Sequence, residues 1–273
     1  MDTSIAISLG PLTIRWYGIL VALAFSIGAY IAYSQAKRLK LDTEELLNIL
    51  IIIIPSSIIG ARLYYVAMRW DFYGTHTSQI LKTWMGGLAV HGGIIAAVLA
   101  IFLYCRLRKQ NFLTWLDILS PSLALGQAIG RWGNYFNQEA YGYETNLPWA
   151  MFIDGAYRHP TFLYESLWAL LVFLLLYTLS KRAHHTGAIF AIYMIAYSVG
   201  RFFIEMLRTD SLMIGPLRMA MVISVLCVIG GIIILIYLRR QPLPAYSAQL
   251  GVSRQEKRAR QRGDQKKQHK NTK

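Results

Sequence analysis

The feature that most limits what this chain can fold into is a recurrence. Seven apolar stretches, about 16–36, 46–67, 86–105, 113–130, 162–180, 187–206 and 216–238, follow one another with short polar links. Each has roughly the 18 residues or more that a helix needs to cross a hydrocarbon core of about 30 Å. Only 15% of the residues are charged, whereas a soluble domain carries about a quarter, and the mean hydropathy is +0.38. The period-2 alternation that a membrane barrel requires is absent. These observations predict an all-α integral membrane protein with seven transmembrane helices.

Lysine and arginine set the expected orientation. The links holding Lys37, Arg38 and Lys40, then Arg106, Arg108 and Lys109, then Lys181 and Arg182, are richer in basic residues than the links between them. Those three links and the carboxy-terminal tail are therefore expected on the cytoplasmic side. The amino terminus and the segment 131–161 are expected outside, the latter as a small head with a short strand or turn at "WAMFIDG" and a helix start at "RHPT". "MDTSIAISLGPLTIR" has no basic region before the first apolar run, so a cleavable signal peptide is not expected. Two regions follow: a seven-helix domain over 1–238 and a basic tail over 239–273.

The tail has eleven basic residues against Glu256 and Asp264, a large share of the chain's formal +14. Its composition reads as disordered. A polybasic run just cytoplasmic of a last span fits anionic lipid headgroups more simply than nucleic acid. The cysteines, Cys105 and Cys227, have no metal-type spacing, and neither a disulfide nor a metal site is expected. No cofactor is called for.

Ionisable groups in membrane spans are costly, so each one is a candidate for function. In the expected topology Tyr17, Arg62, His91, Arg131, Arg201 and Glu205 all fall at outer span ends. Tyr193, Tyr197, Arg201, Glu205 and Arg208 share one helical face, a polar stripe in an apolar helix. The rival reading of that stripe is an intrahelical Arg201–Glu205 pair with snorkelling ends. After Arg131 comes the polar run "GRWGNYFNQEAYG", where Asn134, Asn137 and Glu139 stand beside a guanidinium able to grip two phosphate oxygens at once. His91 lies between glycine pairs in "GGLAVHGG" and is the outer group best suited to accept a proton near neutrality. Asp117, the last residue of "TWLD", reads as part of a capping box at the start of the fourth span, and His159 as part of a helix start before Pro160.

"GRWGNYFNQEAYG" resembles the signature G-R-x-G-N-x-x-N-x-E-x-x-G of the bacterial prolipoprotein diacylglyceryl transferases at every fixed position. "RWYG", "GARLYYV", "GGLAVHGG", "RHPTFLYE" and "YSVGRFFIEMLR" resemble further blocks of that family in its order. The resemblance implies seven membrane helices, an outer head, and residence in the bacterial cytoplasmic membrane with the active site toward the outer leaflet. It implies transfer of the diacylglyceryl group of phosphatidylglycerol to the lipobox cysteine of a prolipoprotein, with release of glycerol phosphate. It places the family's two arginines on Arg131 and Arg201, its histidine on His91, and its tyrosines on Tyr17 and Tyr197. Asn134, Glu139, Gly142 and Glu205 match as well, and Asp117 corresponds to a family aspartate, against the capping-box reading. Arg131 and Arg201 are expected on phosphate and His91 on the thiol proton. Tyr17, Tyr197, Asn134, Asn137, Glu139, Gly142, Glu205 and Arg62 are expected around the substrates. A secondary transporter for an anionic solute is the rival from another class, but transporters bind near the midplane on broken helices. A membrane scaffold would explain the tail and leave the outer cluster idle.

Overall fold

The computed structural model describes residues 4–9, 12–83, 86–182 and 184–241. The expectations for the basic tail beyond Gln241 therefore fall outside the described residues. Among the described residues seven helices are long and apolar enough to cross a membrane: α1 (Trp16–Arg38), α2 (Thr43–Met68), α4 (Val90–Leu107), α5 (Phe112–Phe136), α6 (Thr161–Leu179), α7 (Ala188–Glu205) and α8 (Met219–Leu238). A single-turn helix, α3 (Trp70–Tyr73), follows α2. Among the described residues three short antiparallel hairpins flank the spans: β1–β2 (Ile5–Leu9, Leu12–Arg15), β3–β4 (Met151–Ile153, Ala156–Arg158) and β5–β6 (Met213–Ile214, Leu217–Arg218). The first and last of these were not expected from the apolar pattern, which is too short there to show a period.

Two helix boundaries differ from the hydropathy in an instructive way. The apolar run at 86–105 starts before its helix, because Gly86 and Gly87 sit at φ of +85° and +77° and hold the backbone out of the α region until Val90. The run at 113–130 stops before its helix does. Helical hydrogen bonding needs no apolar side chains, so α5 carries Arg131, Gly133 and Asn134 into its last turns. The start of α5 corrects another expectation. Asn111 Oδ1 accepts from the Thr114 amide at 3.2 Å, so Asn111 caps this helix and Thr114 with Asp117 forms no capping box. Asp117 instead reaches another helix, with Oδ2 accepting from the Gly187 amide at 2.6 Å and Oδ1 from Phe190 at 2.8 Å. It satisfies the free donors at the start of α7.

The chain packs as two units. One is Leu41–Trp115, and the other joins the described residues on either side of it. In the first unit α2 and α4 touch backbone to backbone. A Cβ on Gly92 would lie 2.4 Å from the Gly60 oxygen, and one on Gly60 would lie 2.6 Å from the Gly92 oxygen. Small residues at such a crossing let dispersion contacts form where lipid removes the hydrophobic drive. In the second unit Ala124, Val172, Leu176, Ile189 and Tyr193 make a core cluster from α5, α6 and α7.

The expected head segment is built onto this second unit. Its hairpin turns at Asp154 and Gly155, both at positive φ (49° and 80°), the conformation of a two-residue type I′ turn. Residues 141–145 run between the hairpin and the segment after α7. The Tyr143 amide donates to Leu207 O at 3.0 Å, while Tyr143 O accepts from the His159 amide at 3.0 Å. Gly142 is needed at this seam, since a Cβ there would lie 2.7 Å from His159 Cβ and 2.8 Å from Leu207 O. The structure thus gives this signature glycine a packing reason of its own. Pro160 caps α6 immediately after His159, as the helix-start reading of "RHPT" expected.

Candidate functional site

The polar stripe of α7 meets α5 and α6 in one buried ionic cluster. Glu165, in the first turns of α6, is its centre. Its Oε2 lies 2.6 Å from Arg131 Nη2, and its Oε1 lies 2.5 Å from Arg201 Nη1 and 3.4 Å from Arg208 Nη1. Arg201 also pairs with Glu205 one turn along α7, Nη2 to Oε2 at 2.7 Å. The intrahelical pair expected as the rival reading therefore exists, but it is one edge of a larger network. Glu165 and Glu205 retain only 4% and 2% side-chain exposure, so neither is neutralised by water.

The cluster is not balanced. Three guanidinium groups, the half-buried Arg131 and Arg201 and the buried Arg208, face two buried carboxylates, and Arg218 adds a fourth cation by donating to the Glu205 backbone oxygen. Asp210 offsets part of the excess, taking Arg208 Nε at 3.0 Å and Nη2 at 2.9 Å, but is half exposed. A net positive, partly buried site is a receptor for an anion.

The arginines are not equivalent. Arg208 spends Nε and Nη2 on Asp210 and Nη1 on Glu165. Arg201 is held by Glu165 and Glu205. Arg131 is held through Nη2 alone, by Glu165 and by the Tyr197 hydroxyl at 3.5 Å, and its Nε and Nη1 have no partner among the described residues. Arg131 therefore presents an open donor edge on a guanidinium fixed from behind.

Next to it, the last turn of α5 closes on itself. Glu139 Oε1 accepts from both Asn134 Nδ2 and Asn137 Nδ2 at 3.0 Å. One N–H of each amide is thus occupied, and these bonds leave the second N–H and the Oδ1 acceptor of each for other partners. Tyr17 lies across Gly133: a Cβ there would come within 2.5 Å of Tyr17 Cδ2. Trp16 stacks on Phe136 at 5.1 Å, fixing the start of α1 against the end of α5. In the head, the Tyr141 hydroxyl donates to Asp154, and this bond holds its ionisation above the usual phenol range.

Two expected site residues belong to the Leu41–Trp115 unit and are described there. His91 is the second residue of α4, half-buried, with its ring tilted against Tyr64 at 6.5 Å. Arg62 is buried and donates to four backbone oxygens: Nε to Ile80 at 2.7 Å, Nη1 to Gly86 and Gly87 at 2.8 Å each, and Nη2 to Gln79 at 2.7 Å. Its guanidinium is largely consumed in holding the loop between α3 and α4.

Glu165 and Arg218 escaped the sequence reading. For Glu165 a signal was present, since it is the only charged residue within α6 and a buried acid in an apolar span needs a partner. Arg218 gave none, because an arginine just before a last span reads as a snorkelling anchor.

Comparisons with known proteins agree over nearly the whole described chain. The sequence model of the family described as prolipoprotein diacylglyceryl transferase matches residues 4–237. A phosphatidylglycerol–prolipoprotein diacylglyceryl transferase of Clostridioides difficile (strain 630) is 48% identical over 237 residues, covering 87% of this chain and 96% of the relative. One of Finegoldia magna is 48% identical over 238 residues, with 87% and 96% covered. One of Thermosynechococcus vestitus is 43% identical over 252 residues, with 87% and 94% covered.

Proposed function

The chain belongs to the prolipoprotein diacylglyceryl transferase family, and from that premise we propose how its clustered arginines serve the reaction. It is a multi-pass membrane transferase that moves a diacylglyceryl group from phosphatidylglycerol to prolipoproteins, the first step of lipoprotein lipidation. The observation that carries the mechanism is the open Nε–Nη1 edge of Arg131 in a site of net positive charge.

The acceptor is the lipobox cysteine of the prolipoprotein. Its thiol loses a proton, and the sulfur lone pair forms a bond to the terminal glyceryl carbon. The bond from that carbon to the phosphate oxygen breaks, and glycerol phosphate leaves with the electron pair. Charge grows on the phosphate as the bond breaks, so fixed donors aimed at it favour the transition state over the ground state. Arg131 grips the phosphate with its free edge. Arg201, locked between Glu165 and Glu205, adds positive potential and keeps Glu165 from drawing Arg131 out of line. Tyr197 steadies the same guanidinium. The Oδ1 atoms of Asn134 and Asn137 accept from hydroxyls of the glycerol headgroup or from N–H groups of the peptide. Glu139 orients those amides, Tyr17 walls the headgroup and Gly142 keeps the head seated.

The proton is assigned to His91 on its matching motif. A thiol with a reference pKa of about 8.5 benefits from a base near neutrality. Arg62 shapes the loop before α4, a supporting part in substrate binding. The amino terminus and head face outside, the basic links face the cytoplasm, and the cluster opens toward the outer leaflet. Residues 1–238 are the catalytic domain, and the tail holds to anionic lipid.

The test is purified protein in liposomes with phosphatidylglycerol and a lipobox peptide, read by mass spectrometry. A thioether-linked diacylglyceryl adduct that disappears with a Cys→Ser peptide and with Arg131→Ala is the expected result. An adduct undiminished by Arg131→Ala removes Arg131 from the mechanism. His91→Gln is expected to lower the rate and to change its dependence on pH; an unchanged rate and profile exclude His91 as base.

A further inference from the structure

Gln127 lies on α5 one turn before Arg131, farther from the end of the helix. Four residues of helix advance about 6 Å. Its carboxamide is pinned on one side only. Oε1 accepts from the Tyr193 hydroxyl at 3.0 Å, and Tyr193 is itself buried and stacked on Tyr197 at 5.7 Å. Nε2 donates to no group among the described residues, and the side chain is only half-buried. Space is present beside it, since a Cβ on Gly126 or Gly130 would meet no heavy atom within 4 Å. An amide with its acceptor fixed and its donors free, set into an apolar span, lacks a partner that a bound molecule can supply.

The chemistry one turn below a bound phosphate identifies that partner. In a diacyl phospholipid the glyceryl carbon that reacts is followed, toward the acyl chains, by two ester groups whose carbonyl oxygens are its only good acceptors there. We propose that Gln127 donates from Nε2 to an ester carbonyl of the lipid and so fixes the depth at which the reacting carbon sits beside Arg131. The inference rests on the transferase reading and deepens it by naming a lipid-reading residue. Gln127 is a specificity determinant that distinguishes ester-linked from ether-linked glycerolipid. The bond broken in the transfer is the same in both lipids, so both remain chemically competent.

The test compares diacyl phosphatidylglycerol with its dialkyl ether analogue, in liposomes of otherwise equal composition, as substrates of the full chain. A neutral hydrogen bond corresponds to about a fivefold effect in kcat/KM. The wild type is expected to favour the ester lipid by about that factor. Gln127→Met is expected to lose it on the ester lipid while keeping the ether rate, so the ratio falls to about one. The retained ether rate shows that the variant is folded. If the Met variant does not fold, Gln127→Asn, which keeps the amide but withdraws it by one methylene, is read on the same two lipids by the same criterion. No preference in the wild type, or a variant whose two rates fall together, overturns the proposal; the second result makes Gln127 only a partner of Tyr193. Wild type that turns over neither lipid refutes the transferase reading itself, and this inference with it.

Discussion

Arg62 and Arg131 look alike in the sequence, each an arginine closing an apolar run, and they occupy opposite kinds of site. Arg62 is buried and finds four backbone oxygens on the loop that follows its own helix. Arg131 is held at one nitrogen by Glu165 and Tyr197 and keeps the rest of its fork open. A buried charge must be met by the fold or by something that binds. Where the fold supplies every partner the residue is architecture, and where it stops short the residue is available for chemistry. Asp117 repeats the first case, giving both oxygens to the amides that open α7.

This contrast can be broken by substitution. Arg131→Lys keeps the charge but removes the fork, and kcat in liposomes is expected to fall about a hundredfold or more, the cost of losing one preorganised donor to a developing anion. Unfolding temperature should hardly change. Equal activity in the Lys variant would falsify the two-oxygen grip. Glu165→Gln is next, since it leaves three guanidinium groups without their shared anion. Breaking a buried pair costs about 3–5 kcal/mol, so both thermal stability and activity are expected to drop; a variant that loses neither would show the cluster to be incidental.

Arg62→Lys should give the reverse pattern to Arg131→Lys. Stability is expected to fall by about 2–3 kcal/mol, as hydrogen bonds from a charged donor are lost, while kcat per folded molecule changes little. A large kcat effect at unchanged stability would place Arg62 in the chemistry. The smallest effect is expected from Asp117→Asn, about 1 kcal/mol for a weakened helix cap, read as a lower unfolding temperature with the lipid preference unchanged. A lost preference for phosphatidylglycerol would mean that the start of α7 sets the geometry of the site at its other end.

Most of the architecture is legible in the sequence, because a hydrocarbon core imposes length and apolarity on every span and both are written residue by residue. Turn chemistry was legible where it is local, as in the strand and turn around Asp154 and Gly155. Helix ends were less so. Gly86 and Gly87 delay α4 through backbone dihedrals, and α5 runs on through polar residues because its hydrogen bonds are indifferent to them. Asp117 was misread for a related reason: a capping-box spacing describes one helix, and its amide partners belong to another.

By itself, then, the sequence determined that this chain spans a membrane seven times and that charged residues gather at span ends, since local composition suffices for both. The signature around Arg131 carried the family. Tertiary structure alone decided which charges are answered. Only the packing of α5, α6 and α7 makes Glu165 the common partner of three arginines. Only that packing leaves open donors on Arg131 and Gln127. Whether a buried polar group is satisfied depends on neighbours distant in the chain, and no local pattern records them.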